Sequence, residues 1–166
     1  STIKVGDRIP AATLKRLTPE GIKDVNTVEF FKGRKVALFA VPGAFTPTCS
    51  AKHVPGFVEN YDALRAAGVD EVWCVSVNDA FVMGAWGRDQ KAGGKVRMMA
   101  DGSADFAKAT GLTLDLSARG MGLRSNRYSM LVVDGVVKTL NIEGPGKFEV
   151  SDGEPMLRQL EGSAVS

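Results

Sequence analysis

The segment that most constrains this chain is Val36-Ala37-Leu38-Phe39-Ala40-Val41, an unbroken apolar run closed by Pro42-Gly43. A strand with one wet face alternates apolar and polar residues. A continuous run cut off by turn residues is the pattern of a strand covered on both faces. Such a strand needs paired neighbours and helices above and below it, which is an α/β layer structure. Glu71-Val72-Trp73-Cys74-Val75-Ser76-Val77 reads as the next buried strand, and Val96 to Met99 as a short one. Between the first two, Val54, Phe57, Val58, Tyr61 and Leu64 recur at helical spacing, with Pro55 as a kink. Asn78 or Asp79 can cap a helix whose apolar face holds Phe81, Val82, Ala85 and Trp86. Ala104 to Thr110 reads as a short helix and Glu154 to Leu160 as a closing one. Tyr128 to Val133, Asp134-Gly135 and Val136 to Leu140 form a two-residue hairpin pattern. The order is β-α-β-α-β-α-β-β-α, preceded by a weakly patterned region around Ile9 to Leu14. It predicts a mostly parallel sheet covered on both faces, with antiparallel strands added by the late hairpin. A thioredoxin-like sandwich is one fold with this order, and order alone does not choose it over other α/β folds.

Composition removes several function classes. With 166 residues and no Pro/Gly/Ser-rich linker, residues 1–166 are expected to form one domain. At 44% hydrophobic and 24% charged the chain is an ordinary globular sequence rather than a disordered one. A net charge of +2 is too balanced for a nucleic-acid or anionic-membrane surface. No apolar stretch is long enough to span a membrane, and the start lacks the apolar run of a signal peptide, so a cytoplasmic protein or a processed mature form is expected. A single His leaves too few ligands for a catalytic zinc site. Gly120-x-Gly122 and Gly144-x-Gly146 lack the third glycine of a nucleotide motif. The stretch from Gly111 to Gly122, interrupted by Leu112, Leu114 and Leu116, reads as an ordered loop with apolar anchors.

The segment that carries chemistry is Val41-Pro42-Gly43-Ala44-Phe45-Thr46-Pro47-Thr48-Cys49-Ser50, which joins the first central strand to the first long helix. Open α/β sheets place their sites at the carboxyl ends of strands. Cys49 then falls in the first turn of a helix, where free N–H groups and the helix dipole favour a thiolate. Thr46, three residues earlier, carries a hydroxyl that can accept a bond from a helix N–H or orient a peroxide oxygen. Pro42 and Pro47 restrict the loop, and Pro42 can shield the sulfur from water. Singly, each residue has a plainer role. A lone Cys is more often a small buried apolar residue than a nucleophile, and a Thr at a helix start is more often only a cap.

Taken together, Pro-x-x-x-Thr-x-x-Cys resembles the peroxiredoxin active-site signature. Pro-Gly-Ala-Phe-Thr-Pro-Thr-Cys-Ser, followed by Lys52-His53-Val54-Pro55-Gly56-Phe57, is similar to the subgroup of plant type II and peroxiredoxin 5 proteins. The similarity continues at Cys74-Val75-Ser76-Val77-Asn78-Asp79, Phe81-Val82-Met83 and Arg127-Tyr128-Ser129-Met130. It implies a thioredoxin-like three-layer sandwich with a mixed central sheet flanked by helices. It also implies a thiol peroxidase that reduces hydrogen peroxide and organic hydroperoxides, in antioxidant defence and redox homeostasis, with no metal or organic cofactor. By the same resemblance Cys49 matches the peroxidatic cysteine, Thr46 the hydroxyl that bonds the peroxide and Pro42 the shielding proline. Arg127 matches the arginine that stabilises the thiolate and the polarised O–O bond. Arg124 competes with it by chemistry alone.

Recycling has two routes at this level. In plant type II proteins a cysteine placed like Cys74 acts as the resolving thiol, which implies a Cys49–Cys74 disulfide reduced by thioredoxin. The other reading of Cys74 is a strand residue that only packs, with glutathione or glutaredoxin resolving Cys49 directly. The late stretch Phe148-Glu149-Val150-Ser151-Asp152, where mammalian members carry a resolving cysteine, has none. His53, four residues after Cys49, can tune the thiolate, or it is a partly exposed helix residue. Phe45, Phe81 and Trp86 are expected in the core or an interface, and the resemblance implies a homodimer packed near the active-site loop. Leu114 and Met121 can line an apolar approach for organic peroxides or pack in the core. A redox sensor or holdase using the same thiol is the rival reading. A thiol-disulfide oxidoreductase lacks its Cys-x-x-Cys here.

Overall fold

In the structure, a computed structural model that describes residues 2–165, the apolar run is an interior strand of a seven-stranded sheet. The strands are β1 (Thr13–Thr18), β2 (Gly21–Asn26), β3 (Lys35–Val41), β4 (Glu71–Ser76), β5 (Val96–Ala100), β8 (Tyr128–Val133) and β9 (Val136–Ile142). Two short strands, β6 (Thr113–Leu116) and β7 (Gly122–Ser125), pair apart from it. The order across the main sheet is β2-β1-β5-β4-β3-β8-β9. β3, β4 and β5 run parallel, and antiparallel hairpins close both edges.

Strand alternation explains why β3 is apolar throughout. Ala37, Phe39 and Val41 enter one core with Val72 and Cys74, and Val36, Leu38 and Ala40 enter the other with Trp73, Val75 and Met130. The first core is closed by α2 (Val54–Glu59), α3 (Tyr61–Ala66), α4 (Ala80–Asp89) and α6 (Gly153–Val165), through Phe57, Leu64, Trp86 and Met156. The second is closed around α1 (Thr27–Phe30) and α5 (Asp105–Thr110), through Phe31 and Phe106. This is the three-layer sandwich with a mixed sheet that the resemblance implies, but the sheet is not mostly parallel as the strand–helix alternation predicts: four of its six strand pairings are antiparallel, because a hairpin is added at each edge. The β8–β9 turn is also as read: Asp134 and Gly135 both have positive φ, 49° and 79°, as a two-residue hairpin requires.

Four further expectations need correction. The region around Ile9 to Leu14 leads into a hairpin, β1–β2, absent from the sequence-derived order. The stretch Gly111 to Gly122 is not only loop: its ends build the β6–β7 ribbon. The long helix after Cys49 breaks at Asn60, whose side-chain amide donates to the Gly56 carbonyl at 2.7 Å and so competes with the helical ladder. The buried face of α4 is Ala80, Met83 and Trp86, leaving Phe81 64% exposed rather than in the core.

Gly84 decides how α4 seats on the sheet. A Cβ there would lie 2.6 Å from Leu17 Cδ2 and 3.2 Å from Leu17 Cβ. Gly→Ala inside a helix normally gains about 1 kcal/mol. Forcing an extra carbon into a packed contact costs about 1–3 kcal/mol. Because Leu17 is held on β1, Gly84→Ala should lower stability by about 1 kcal/mol net. Urea unfolding checks the sign, and a stabilised variant would refute the close packing described.

Candidate active site

The chain leaves β3 at Val41, turns through residues 42–46 and enters helix at Pro47. Phe45 adopts φ 63°, a left-handed conformation that costs a bulky residue on the order of 1 kcal/mol or more. That bend folds Thr46 back: its N–H and its hydroxyl both donate to the Gly43 carbonyl, at 3.4 and 2.6 Å. Position 43 is tight: a Cβ would sit 3.0 Å from Arg124 Nη1 and 3.1 Å from Thr46 Cγ2, so a larger residue would press on both side chains. Two neighbours pin the turn. Ala44 N–H donates to Asn78 Oδ1 at 2.9 Å, and Arg124 reaches the Pro42 carbonyl at 3.4 Å while its Nε holds Met121 O at 2.8 Å.

Cys49 opens a π-helical turn, Cys49–His53, in which the Val54 N–H bonds back to the Cys49 carbonyl. One residue on, Ser50 Oγ accepts from the buried Trp86 Nε1 at 3.0 Å, which ties the turn to α4. Cys49 is 0% exposed. Its sulfur accepts from Arg127 Nη2 at 3.1 Å. Arg127 comes from the residue before β8, which is β3's antiparallel neighbour, so the start of one strand faces the end of the other. The arginine's Nη1 lies 2.8 Å from His53 Nδ1, and His53 Nε2 lies 2.9 Å from the Ser151 carbonyl.

These contacts fix the imidazole. A carbonyl only accepts, so Nε2 carries the proton; a guanidinium only donates, so Nδ1 offers its lone pair. The ring is neutral. Burial, and then the Arg127 charge, hold the His53 pKa down at about 3, against smaller opposing effects of the Ser151 carbonyl and Glu143. Phe39 and Phe57 stack at 4.1 Å on one side, and Phe148 stands 5.0 Å from the imidazole and 5.7 Å from the guanidinium.

The structure thus brings Cys49, Arg127 and His53 into one contact series, with Thr46 and the half-buried Pro42 on the loop beside it. His53 is 0% exposed, which overturns its reading as a partly exposed helix residue. Arg124 braces the loop and does not contact the sulfur. Met121 borders the loop, its Cε 3.4 Å from where a Gly43 Cβ would stand. Cys74 is free, fully buried on β4 and in the same core as Cys49; burial, and then a charge on Cys49, push its thiol well above its ordinary pKa. Phe45 is 52% exposed and Trp86 is core. Among the described residues no group of three or more His, Cys, Asp or Glu could hold a metal, and no helix is long and apolar enough to cross a membrane. Sequence reasoning missed Asn78, Phe148 and Ser151 as parts of the site. For Asn78 a signal existed: it follows β4, whose carboxyl end adjoins that of β3.

Residues 4–157 match the Redoxin family. The chain is 50% identical over 165 residues to chloroplastic peroxiredoxin-2E-2 of Oryza sativa subsp. japonica, covering 96% of this chain and 73% of that protein. It belongs to the peroxiredoxins. Arabidopsis thaliana peroxiredoxin-2B is 44% identical, with 95% of this chain and 98% of that protein covered. The crystal structure of reduced Prx3 in complex with H2O2 from Vibrio vulnificus superposes with a TM-score of 0.93 at 53% identity, covering 96% and 99% of the two chains. Peroxiredoxin 5 from Alvinella pompejana gives 0.85 at 35%, over 96% and 99%. The fold is thus the thioredoxin-like one of this family, and the peroxiredoxin is a thiol-dependent peroxidase.

In this peroxiredoxin the neutral His53 has a measurable consequence. The unfolded chain takes up a proton on His53 near pH ~6.5, whereas the folded chain does so only near its value of about 3. Between those limits the unfolded state binds more protons, so this residue's contribution makes stability fall as pH drops from ~6.5 towards ~3. Since His53 is the single histidine, its imidazole resonance is readily assigned. It should show no titration down to about pH 5. A midpoint near the unperturbed value would contradict the Arg127 contact.

Proposed function

We propose that Cys49 is the peroxidatic cysteine and that it reduces hydrogen peroxide and organic hydroperoxides. The observation that carries this reading is the Arg127 Nη2 contact to Cys49 Sγ at 3.1 Å, at the start of a helix. A guanidinium there offsets the negative charge of a thiolate, and the first-turn N–H groups add to the field. The thiolate attacks the hydroxyl oxygen of the peroxide, an S–O bond forms and the O–O bond breaks. Cys49 leaves as sulfenic acid, and hydroxide or alkoxide departs and takes up a proton. Arg127 donates to the oxygens as charge passes to the leaving group. The Thr46 hydrogen is committed to Gly43 O, so its oxygen is left to accept from the peroxide O–H. Pro42, on the rim, limits water at the sulfur.

For recycling we favour an external thiol, with glutathione or glutaredoxin ahead of an internal bridge. Cys74 sits in the middle of the sheet, between Phe39 and Met98 on the flanking strands, with a thiol held protonated by burial. A second thiol must attack as thiolate, and this one is poorly placed to ionise or move. Thioredoxin reducing a Cys49–Cys74 disulfide is the alternative.

Arg127→Ala should slow Cys49 oxidation by about 10²–10³-fold in stopped-flow measurements, as for loss of one donor to a developing anion, while Cys49→Ser abolishes it. Intact mass after one equivalent of peroxide then separates the routes. Sulfenic acid or its external-thiol adduct is expected in both wild type and Cys74→Ser, and a loss of two hydrogens confined to wild type would establish the internal bridge.

The homodimer belongs to the same proposal. Phe45, in the active-site turn, is 52% exposed, and its ring stands 6.4 Å from that of the buried Trp86. A large exposed aromatic anchored against the core in this way is suited to an interface. Phe45→Glu should shift sedimentation from dimer to monomer; a dimer that persists, or a monomeric wild type, excludes this face.

A further inference from the structure

Beyond the groups that touch the sulfur lies a carboxylate that the proposed reaction does not use. Glu143 follows β9 directly and is 8% exposed. It has no Lys or Arg partner among the described residues. Its oxygens instead accept a set of short bonds from one loop. Glu149 N–H donates to both oxygens at 2.9 Å, and Val150 N–H and Ser151 N–H donate to Oε2 at 2.9 and 2.8 Å. The Ser151 hydroxyl adds a bond to the same oxygen at 2.7 Å. Burial alone would push this carboxyl up, but the Ser151 hydroxyl and the three N–H groups outweigh it and hold it below the usual range.

The loop so gathered is the one that meets His53. Ser151 O takes the Nε2 proton at 2.9 Å, and Phe148 lies against both the imidazole and the guanidinium. Glu143 also holds Arg127 directly, because its own N–H donates to the Arg127 carbonyl at 3.0 Å. One residue therefore grips Arg127 from two sides: by its backbone, and by its carboxylate through the loop and the imidazole. The hydrogen-bond polarity runs one way. The Glu143 carboxylate orients the loop, Ser151 O fixes the proton on Nε2, the Nδ1 lone pair takes Arg127 Nη1, and Nη2 is left for the sulfur. If the loop moved, the imidazole would lose its acceptor, and the other tautomer would set N–H against N–H at Arg127.

We propose that Glu143 is a positioning residue for peroxide reduction, setting Arg127 against Cys49 through the 149–151 loop and His53. This rests on the roles given above to Cys49 and Arg127. The rival is a staple that only stabilises the fold, and it predicts different kinetics. Peroxide reduction needs Arg127 in place over the oxygens; alkylation of Cys49 by iodoacetamide needs the thiolate and access to it, and no donor over an O–O bond.

Both second-order rate constants are measured for wild type, Glu143→Gln, His53→Phe and the double variant, each on the high-pH plateau of its own alkylation profile, where Cys49 is fully ionised. Gln keeps the size but turns an N–H toward the loop donors. Displacing a reacting group by a fraction of an ångström to one ångström costs up to about 10²-fold. Glu143→Gln should therefore slow the peroxide reaction about tenfold and alkylation by less than about threefold. In the His53→Phe background, where the path is already cut, it should add less than about twofold. Equal losses in both reactions, an unchanged peroxide rate, or a full independent effect in that background each overturn the proposal. Should Glu143→Gln not fold, Ser151→Ala removes one of the carboxylate's bonds and keeps the main-chain acceptor. It should show the same selectivity at smaller size, and an unchanged peroxide rate there also overturns it. A wild type that does not react with peroxide sinks the reading of Cys49 itself, and so is told apart from failure of the positioning role.

Discussion

The arrangement depends on one flat cation with two commitments. Arg127 presents two nitrogens at a fixed angle, one 2.8 Å from His53 Nδ1 and the other 3.1 Å from Cys49 Sγ. A guanidinium drawn partly out of water loses hydration that only acceptors replace, so each partner must be able to accept. An imidazolium could not. The aromatic enclosure of Phe39, Phe57 and Phe148 therefore has an electrostatic role as well as a packing one: it keeps His53 neutral and so keeps it an acceptor. The sulfur is then the one partner whose charge can change during the reaction.

Sheet topology explains why residues so distant in sequence meet. β3 and β8 are antiparallel neighbours, with Ala40 opposite Tyr128, so the exit of one and the entry of the other share an end of the sheet. Cys49 follows the exit and Arg127 precedes the entry. β4 runs parallel to β3 and ends at the same side, which brings Asn78 to the Ala44 N–H. The far end of β9 returns there as well, since Ile142 pairs with Tyr128, and it delivers Glu143 and the loop beyond. Four chain segments converge because of strand direction, before any side-chain preference acts.

The parts legible in the sequence are those written in local pattern. The unbroken run of β3, the Asp134-Gly135 turn and the Thr46–Cys49 spacing each need only a few adjacent residues. The β1–β2 hairpin was obscured because it is an edge. β2 is mostly wet and carries Lys23 and Asp24, and β1 separates Leu14 from Leu17 by the charged pair Lys15 and Arg16, so neither shows an apolar run or a clean alternation. Phe81 misled because a large apolar residue at helical spacing looks inward, whereas Gly84 and Gly87 occupy the face that approaches the sheet. His53 is a different case. Its enclosure by Phe39 and Phe57 is completed by Ser151 and Phe148, almost a hundred positions away, and no periodicity around residue 53 reports that. Choosing Arg127 over Arg124 came from family resemblance rather than from local chemistry. The geometry supplies the physical reason: Arg124 spends its donors on Met121 and Pro42 carbonyls.

Two thiols share one core and have opposite surroundings. Cys74 lies mid-sheet without a charged neighbour in contact, and burial keeps its proton in place. Cys49, equally buried, sits where a helix begins and a guanidinium touches it. Burial thus does not separate a reactive cysteine from an inert one; the donor beside it does. The same burial sorts what can reach the sulfur. Hydrogen peroxide is little larger than water and needs only a small breach at the Thr46 turn. A thiol reductant is far larger, and it cannot touch a sulfur with no accessible surface until the helix start moves. The turn that must move is bounded by identifiable contacts: Trp86 to Ser50 on one side, Asn78 to Ala44 on the other, and Arg127 across the sulfur itself. Once the sulfur is oxidised and no longer anionic, the last of these weakens. Under the proposed function, the contact that supports attack on a peroxide is therefore also the one that oxidation of the sulfur loosens.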